Sequence, residues 1–367
     1  MTDYEAQTGE LLDWYDRNRR ILPWREDPTP YHVWLSEIIL QQTRVEAGKE
    51  YYLRFLEELP DIASLAAAPE EVCLKLWEGL GYYSRVRNFH RAAVRIMEDY
   101  DGRMPGEAKE LEKLPGIGPY SAAAISSIAF QRQEVALDGN LLRVYARMTE
   151  CGEEIKSAEA RRAALAYYRE RIAAAGARPG DFNQALMDLG AGICLPNGEP
   201  MCAQCPWRER CLSQRHGRQQ EFPVAAQKKA RRSEERTIFI LRFEDRIAIR
   251  RRSGKGLLAG LYEFPNVEGY CRREELPTIL QQLLPGLQEE LPAIPGKVSE
   301  PLEAKEKLTV QKLPEARHIF SHIEWQMRGY EIRLPRLPEA KGIIWATQEE
   351  LDRRYSIPSA FSAYKPH

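Results

Sequence analysis

LEKLPGIGPYSAAAISSIAF (residues 111–130) joins two helical stretches through a turn of unusual composition. Helical residues up to Leu114 run into Pro115, Gly116, Ile117 and Gly118. A second helix is expected from Pro119, a residue suited to the first helical turn. Gly116 and Gly118 permit a tight turn and a close approach of backbone to a ligand, and Ile117 between them is placed to point back and pin the hairpin. The start of the second helix offers unpaired N–H groups and the positive end of a dipole, a ready place for a phosphate. A plain helix–helix turn would use similar residues. The whole L-P-G-I-G-P-Y string with its flanking helices favours a hairpin that grips a DNA backbone, positioning the duplex without reading its sequence.

Outward from the hairpin, apolar residues recur at helical spacing in TGELLDWYDRNRR, YHVWLSEIILQQTRVEA, EEVCLKLWEGL, RVRNFHRAAVRIMEDY and RRAALAYYRERIAAA. From about residue 237 the texture changes to short, partly alternating, β-branched or aromatic runs: TIFILRF, RIAIRRR, YEIRLP and GIIWAT. Helices are expected among them at EELPTILQQLL and TQEELDRRY. The expected architecture is therefore multi-domain: an all-α domain over 1–212, a basic linker over 213–236 and an α+β domain over 237–367. The linker carries Arg215, Arg218, Lys228, Lys229, Arg231, Arg232 and Arg236 against Glu221, Glu234 and Glu235, an excess that can neutralise phosphates or simply face water. The 367 residues carry a net charge of −1, with 43% hydrophobic residues. The first twenty residues lack a secretion signal and no apolar run is long enough for a membrane span. A cytoplasmic protein without membrane association is expected.

Two carboxylates stand out. Glu37 lies in VWLSEIILQQ with Val33, Trp34 and Leu40 at helical spacing, so its carboxyl sits on or beside an apolar face. Removal from water raises a carboxyl pKa and suits it to act as a general acid near neutrality. Asp138 follows an apolar strand-like run and precedes Gly139, Asn140 and Leu141, where a helix is expected to start. An N-cap or a turn explains such an aspartate equally well. Helix N–H groups beside it should hold it as an anion. One neutral acid and one stable anion form the pair that glycosidic cleavage needs.

Of seven cysteines, Cys194, Cys202, Cys205 and Cys211 form C-x7-C-x2-C-x5-C. Thiols so close in sequence, in a chain without a secretion signal, imply a metal centre rather than disulfides. Structural zinc and a [4Fe–4S] cluster are both compatible with the spacing. The loop would also place Arg208 and Arg210 toward DNA.

Together these residues resemble the helix-hairpin-helix DNA glycosylase superfamily, over almost the whole chain. Its endonuclease III branch carries a lysine nucleophile where this sequence has Tyr120. The strings LPWR (22–25), SEIILQQTRV (36–45) and EGLGYYSR (78–85) resemble the MutY branch instead. The resemblance implies a monofunctional adenine glycosylase acting as a monomer on double-stranded DNA with A:8-oxoguanine or A:G mispairs. It gives Glu37 and Asp138 as catalytic residues, with Tyr120 and Asn140 supporting them. Arg20, Trp24, Arg25, Leu40 and Gln184 match positions around the extruded adenine, and Gln42 and Tyr82 match residues entering the base stack. The cysteine loop has seven residues between its first two ligands where the family has six, and the resemblance favours [4Fe–4S] over zinc. The C-terminal strings GLLAGLYEFPN (256–266), HIFSHIEWQM (318–327) and YSIPSAF (355–361) resemble the family's Nudix-like domain. Phe320, Ser321 and His322 match its 8-oxoguanine-reading loop, although His322 would equally serve as a core histidine. No R-E-x-x-E-E core follows Glu263, so this domain is expected to read a base and not to hydrolyse a nucleotide. The rival functions are a bifunctional glycosylase/lyase and a noncatalytic binder of damaged DNA.

Overall fold

The computed structural model describes residues 2–41, 43–224, 230–285 and 308–365. In chain order its helices are α1 (Asp3–Asn18), α2 (Pro23–Glu26), α3 (Pro30–Leu40), α4 (Val45–Glu58), α5 (Ile62–Ala67), α6 (Glu70–Leu76) and α7 (Ser84–Asp99). There follow α8 (Ala108–Leu111), α9 (Pro119–Phe130), α10 (Gly139–Thr149), α11 (Ala158–Ala174), α12 (Pro179–Gly192) and α13 (Leu212–His216). The chain divides into two compact units. The first holds residues 1–68 and 84–228; the second holds 69–83 together with 229–367. The span read as a linker is partly structured, since α13 lies within it and the first strand begins at Arg232. Its residues 225–229 lie outside the described residues. The sequence also placed 69–83 in the helical domain, whereas these residues cluster with the second unit.

A core of the helical unit joins α1, α10, α11 and α12 through residues such as Leu11, Leu141, Tyr168, Phe182 and Leu189. Helix α3 is apolar on almost every face and is buried accordingly. Thr29 caps it by accepting a hydrogen bond from the His32 N–H at 3.2 Å, and Pro30 occupies its first turn. The sequence pattern ran unbroken through YHVWLSEIILQQTRVEA, but the helix stops at Leu40 and α4 restarts at Val45. The two helices then pack closely: a Cβ on Gly48 of α4 would lie 2.9 Å from the Leu40 side chain.

In the hairpin, α8 ends at Leu111, earlier than expected, and tighter i→i+3 hydrogen bonds carry the chain to Leu114. Gly116 has φ of +78°, and a Cβ there would meet the Asn88 side chain at 2.6 Å. Gly118 caps α9 with an ordinary φ of −92°. Leu111, Leu114 and Ile117 are all buried and pin the turn, as the sequence implied for Ile117.

The second unit is a mixed sheet with helices α14 (Leu276–Leu283) and α15 (Gln348–Arg353). Its strands are β1 (Arg232–Phe243), β2 (Arg246–Arg251), β3 (Tyr262–Glu263), β4 (Asn266–Glu268), β5 (Thr309–Ile319), β6 (Ile323–Arg333) and β7 (Ile343–Thr347). The order is β3-β2-β1-β6-β5, with β4 on β1 and β7 on β2. Only β1 and β6 are parallel among the described pairs, in register from Arg232 opposite Ile323 to Arg242 opposite Arg333. Alternate residues of β1 serve opposite faces: Ile238 and Ile240 join one core, Phe239 and Leu241 the other. A central strand buried on both sides explains why TIFILRF reads as a continuous apolar run.

Candidate active site

Helix α3 aims Glu37 into a cavity of about 550 Å3 whose walls come from the helical unit. Nine residues singled out from sequence line it: Arg20, Trp24, Arg25, Glu37, Leu40, Tyr120, Asp138, Asn140 and Gln184. Gln42 lies outside the described residues. Gly116 and Gly118 stand apart in the hairpin turn, while Tyr82, Phe320, Ser321 and His322 belong to the second unit.

Glu37 is only 8% exposed. Burial pushes its carboxyl up to about 7, the charge of Asp138 adds to the rise, and a hydrogen bond from Tyr120 with the charge of Arg25 oppose it. A carboxyl poised there is half protonated at neutral pH. Tyr120 sits at the second position of α9, and burial holds its phenol far above the usual range, so it stays an O–H donor.

Asp138 is the N-cap of α10. Its Oδ1 accepts the Leu141 N–H at 2.7 Å and its Oδ2 accepts the Asn140 amide at 2.8 Å. The sequence implied an anion held without strain by these donors. Instead its carboxyl is raised, because loss of water outweighs the hydrogen bonds from Leu141 and Asn140 and the nearby Arg143. The order within the pair survives the correction. The Asp138 charge is among the influences that raise Glu37, so Asp138 ionises first and Glu37 keeps the proton.

Residues that sequence reasoning missed hold this arrangement. Asp188, 3% exposed, accepts hydrogen bonds from Arg20 Nε at 2.7 Å and from Arg25 Nη1 at 2.7 Å, fixing both guanidinium groups at the cavity. Its spacing of four from Gln184 on α12 placed it on the same helix face, a signal that was available. Arg143 of α10 donates to Asn140 Oδ1 at 2.8 Å, to the Gly190 carbonyl at 2.8 Å and to the Cys194 carbonyl at 2.8 Å. A continuous hydrogen-bonded path thus runs from the cysteine loop to Asp138. Gln41 and Arg161 also line the cavity and carried no distinctive sequence signal.

The four clustered cysteines line a separate small cavity in the helical unit, with Arg147, Trp207, Arg208 and Gln219. Arg147 donates to Cys194 Sγ at 3.3 Å and to the Leu195 carbonyl at 2.9 Å. The seven-residue first gap is stitched down by the Met201 N–H on the Ile193 carbonyl at 2.9 Å. Trp207 is fully buried and its indole donates to the Gln7 carbonyl of α1 at 2.8 Å. Arg210, expected to face DNA, is instead engaged by Glu10 at 3.0 Å and by Asp3.

In the second unit, Phe320 is half-buried against Trp325 with ring centroids 4.9 Å apart, while Ser321 and His322 are exposed in the β5–β6 turn. His322 is therefore not a core histidine. The exposed Tyr82 hydroxyl meets that of Ser321, and its backbone takes φ of +47°.

Two carboxyl groups of unequal acidity facing one cavity, beside a hairpin whose Gly118 leaves open space where a side chain would stand, are the equipment of an enzyme that cleaves glycosidic bonds in DNA. Residues 35–170 match the HhH-GPD superfamily of base excision DNA repair proteins, and residues 237–365 match the NUDIX domain family. The solved structure of a thermostable thymine-DNA glycosylase is similar at a TM-score of 0.51 and 25% identity, covering 58% of this chain and 97% of that one. The protein is a DNA glycosylase of base excision repair. An adenine DNA glycosylase of Mus musculus is 33% identical over 428 residues, covering 100% of this chain and 79% of the relative. The Homo sapiens adenine DNA glycosylase is 33% identical over 408 residues, covering 95% of this chain and 72% of the relative. The chain belongs to the adenine DNA glycosylase family. Among the described residues no helix is long and apolar enough to cross a membrane.

Proposed function

We propose that the enzyme excises adenine paired with 8-oxoguanine, or with guanine, by hydrolysis, and leaves an abasic site. The observation that carries this is Glu37, buried and poised near neutrality, sharing one cavity with Asp138. Base extrusion is required, because the glycosidic bond is out of reach inside a duplex. Trp24, Leu40 and Gln184 would bound the extruded adenine, with Arg20 and Arg25 held in place by Asp188. Glu37 would protonate the departing base while Asp138 steadies the cationic sugar. Tyr120 keeps Glu37 oriented, and Asn140 does the same for Asp138. None of the described residues lining the cavity is a lysine, which favours water as the nucleophile over Schiff-base chemistry. The hairpin would hold the backbone through α9, and Tyr82 would enter the stack while Phe320, Ser321 and His322 read the opposing base.

Cys194, Cys202, Cys205 and Cys211 would hold the metal centre. The four thiols line one cavity, with Arg147 donating to Cys194 Sγ; the family resemblance favours a [4Fe–4S] cluster there, with zinc as the rival. Such a group would order the loop and, through Arg143, the floor of the site. We infer that the enzyme acts as a monomer in the cytoplasm, at the chromosome.

Release of free adenine from a duplex with one A:8-oxoguanine pair tests the proposal. Glu37→Gln should slow release by about 10²–10⁴-fold, the usual worth of a general acid, while duplex binding persists. Efficient trapping of the wild type by borohydride, lost on changing a lysine, would favour the bifunctional rival. Binding without any adenine release would leave a noncatalytic binder.

A further inference from the structure

Residues 69–83 belong to the second unit, and the loop that ends them has a demanding backbone. Gly79, Gly81 and Tyr82 all have positive φ, at 99°, 70° and 47°. Glycine accepts that region freely; tyrosine does not, and such a residue persists only where its surroundings over-determine it. Part of the restraint is local, since the fully buried Trp77 donates its indole N–H to the Gly81 carbonyl at 2.8 Å.

Further restraint comes from Lys75 and Glu78. An ammonium has three N–H donors. Those of Lys75 go to the Leu351 carbonyl at 3.2 Å, to the Tyr355 carbonyl at 3.3 Å and to the Glu78 carboxylate. Leu351 lies in the last turn of α15, where carbonyls lack partners within the helix and a cation is favoured. Glu78 also accepts from Lys365 Nζ at 2.6 Å. Lys75, Glu78 and Lys365 are each two-thirds or more removed from water, where ion pairs act more strongly than at an open surface. Glu71 adds an outlying contact to Arg251 at 3.5 Å.

We propose that Lys75 and Glu78 are positioning residues for specificity: they clasp residues 69–83 onto α15 and the chain end, and so hold Tyr82 beside Ser321, ready to enter the base stack. The clasp makes recognition of the opposing base and penetration of the stack one mechanical unit. The inference rests on the proposed roles of Tyr82 and Ser321.

The test uses the full-length protein and compares kcat/KM for adenine release from A:8-oxoguanine and A:G duplexes. Lys75→Met should cut the preference for 8-oxoguanine about tenfold, within the usual range of coupling between sites, mainly through KM. Lys75→Arg should restore most of it. Added to Tyr82→Ala, Lys75→Met should cause no further loss, as expected of two residues in one coupled path. Lys365→Gln loosens Glu78 near the chain end, and should give a smaller loss in the same direction should Lys75→Met fold poorly. An unchanged preference in Lys75→Met and Lys365→Gln, with Tyr82→Ala impaired, overturns the clasp alone. So does full additivity of Lys75→Met with Tyr82→Ala. A silent Tyr82→Ala overturns the stack-entry reading itself, and the clasp with it.

Discussion

Glu37 shows how one side chain turns burial into chemistry. Its proton is bound more tightly in the folded protein, at about 7, than in an unfolded chain, at 4.5. The contribution of Glu37 to folding stability is therefore fully present below the lower value and is lost as pH rises through the upper one. The rate should follow the same proton. Single-turnover excision should fall as pH climbs past about 7, because the fraction of Glu37 able to donate shrinks, and stopped-time assays across pH 5.5–9 on a saturated duplex check it. A flat profile over that range would remove Glu37 as the acid. The acid's environment was legible in the sequence, because its neighbours are covalently fixed on its own helix. Asp138 was legible only as a cap: its local donors are sequence neighbours, but the surfaces that shut water away from it come from distant segments. Asp188 left only the faint mark of its spacing from Gln184; its role shows when Arg20 and Arg25 arrive from 168 and 163 residues upstream.

At the level of elements, the hairpin separates two uses of glycine. Gly116 answers to the fold, through its positive φ and the Asn88 side chain against it. Gly118 has an ordinary φ, and a Cβ there would meet no protein atom within 4 Å. Gly116→Ala should therefore unfold more easily, by at least about 1–2 kcal/mol from backbone conformation alone, in urea titrations. Gly118→Ala should keep wild-type stability yet bind duplex DNA more weakly, seen as a raised Kd at fixed salt. Equal DNA affinity for Gly118→Ala and wild type would show that no phosphate approaches that turn. Helix and strand periodicities gave the element types on both sides of the chain correctly, because apolar faces leave a repeating mark. They missed the break between α3 and α4, because the apolar spacing runs on across it while the helix does not.

Across the molecule, the partition of the chain was the least legible feature. Residues 69–83 lie inside a helical run, yet Lys75, Glu78 and Tyr82 take their partners from beyond residue 320, and no local signal announces such a pairing. Truncation near residue 231 should therefore lower the preference for 8-oxoguanine over guanine more than it slows excision at saturating enzyme; an unchanged preference would take mispair reading away from the second unit. For the cysteine loop, purified protein should be yellow-brown and contain iron with acid-labile sulfide. Colourless protein carrying one zinc per chain would replace the cluster with its rival. The bond from Trp207 to Gln7 has a further consequence for how the enzyme is made. A nascent chain emerges from the ribosome N-terminus first, and domains tend to fold as units while it does so. Helix α1 therefore completes its packing only after the segment carrying Trp207, 200 residues beyond Gln7, has followed it out of the exit tunnel.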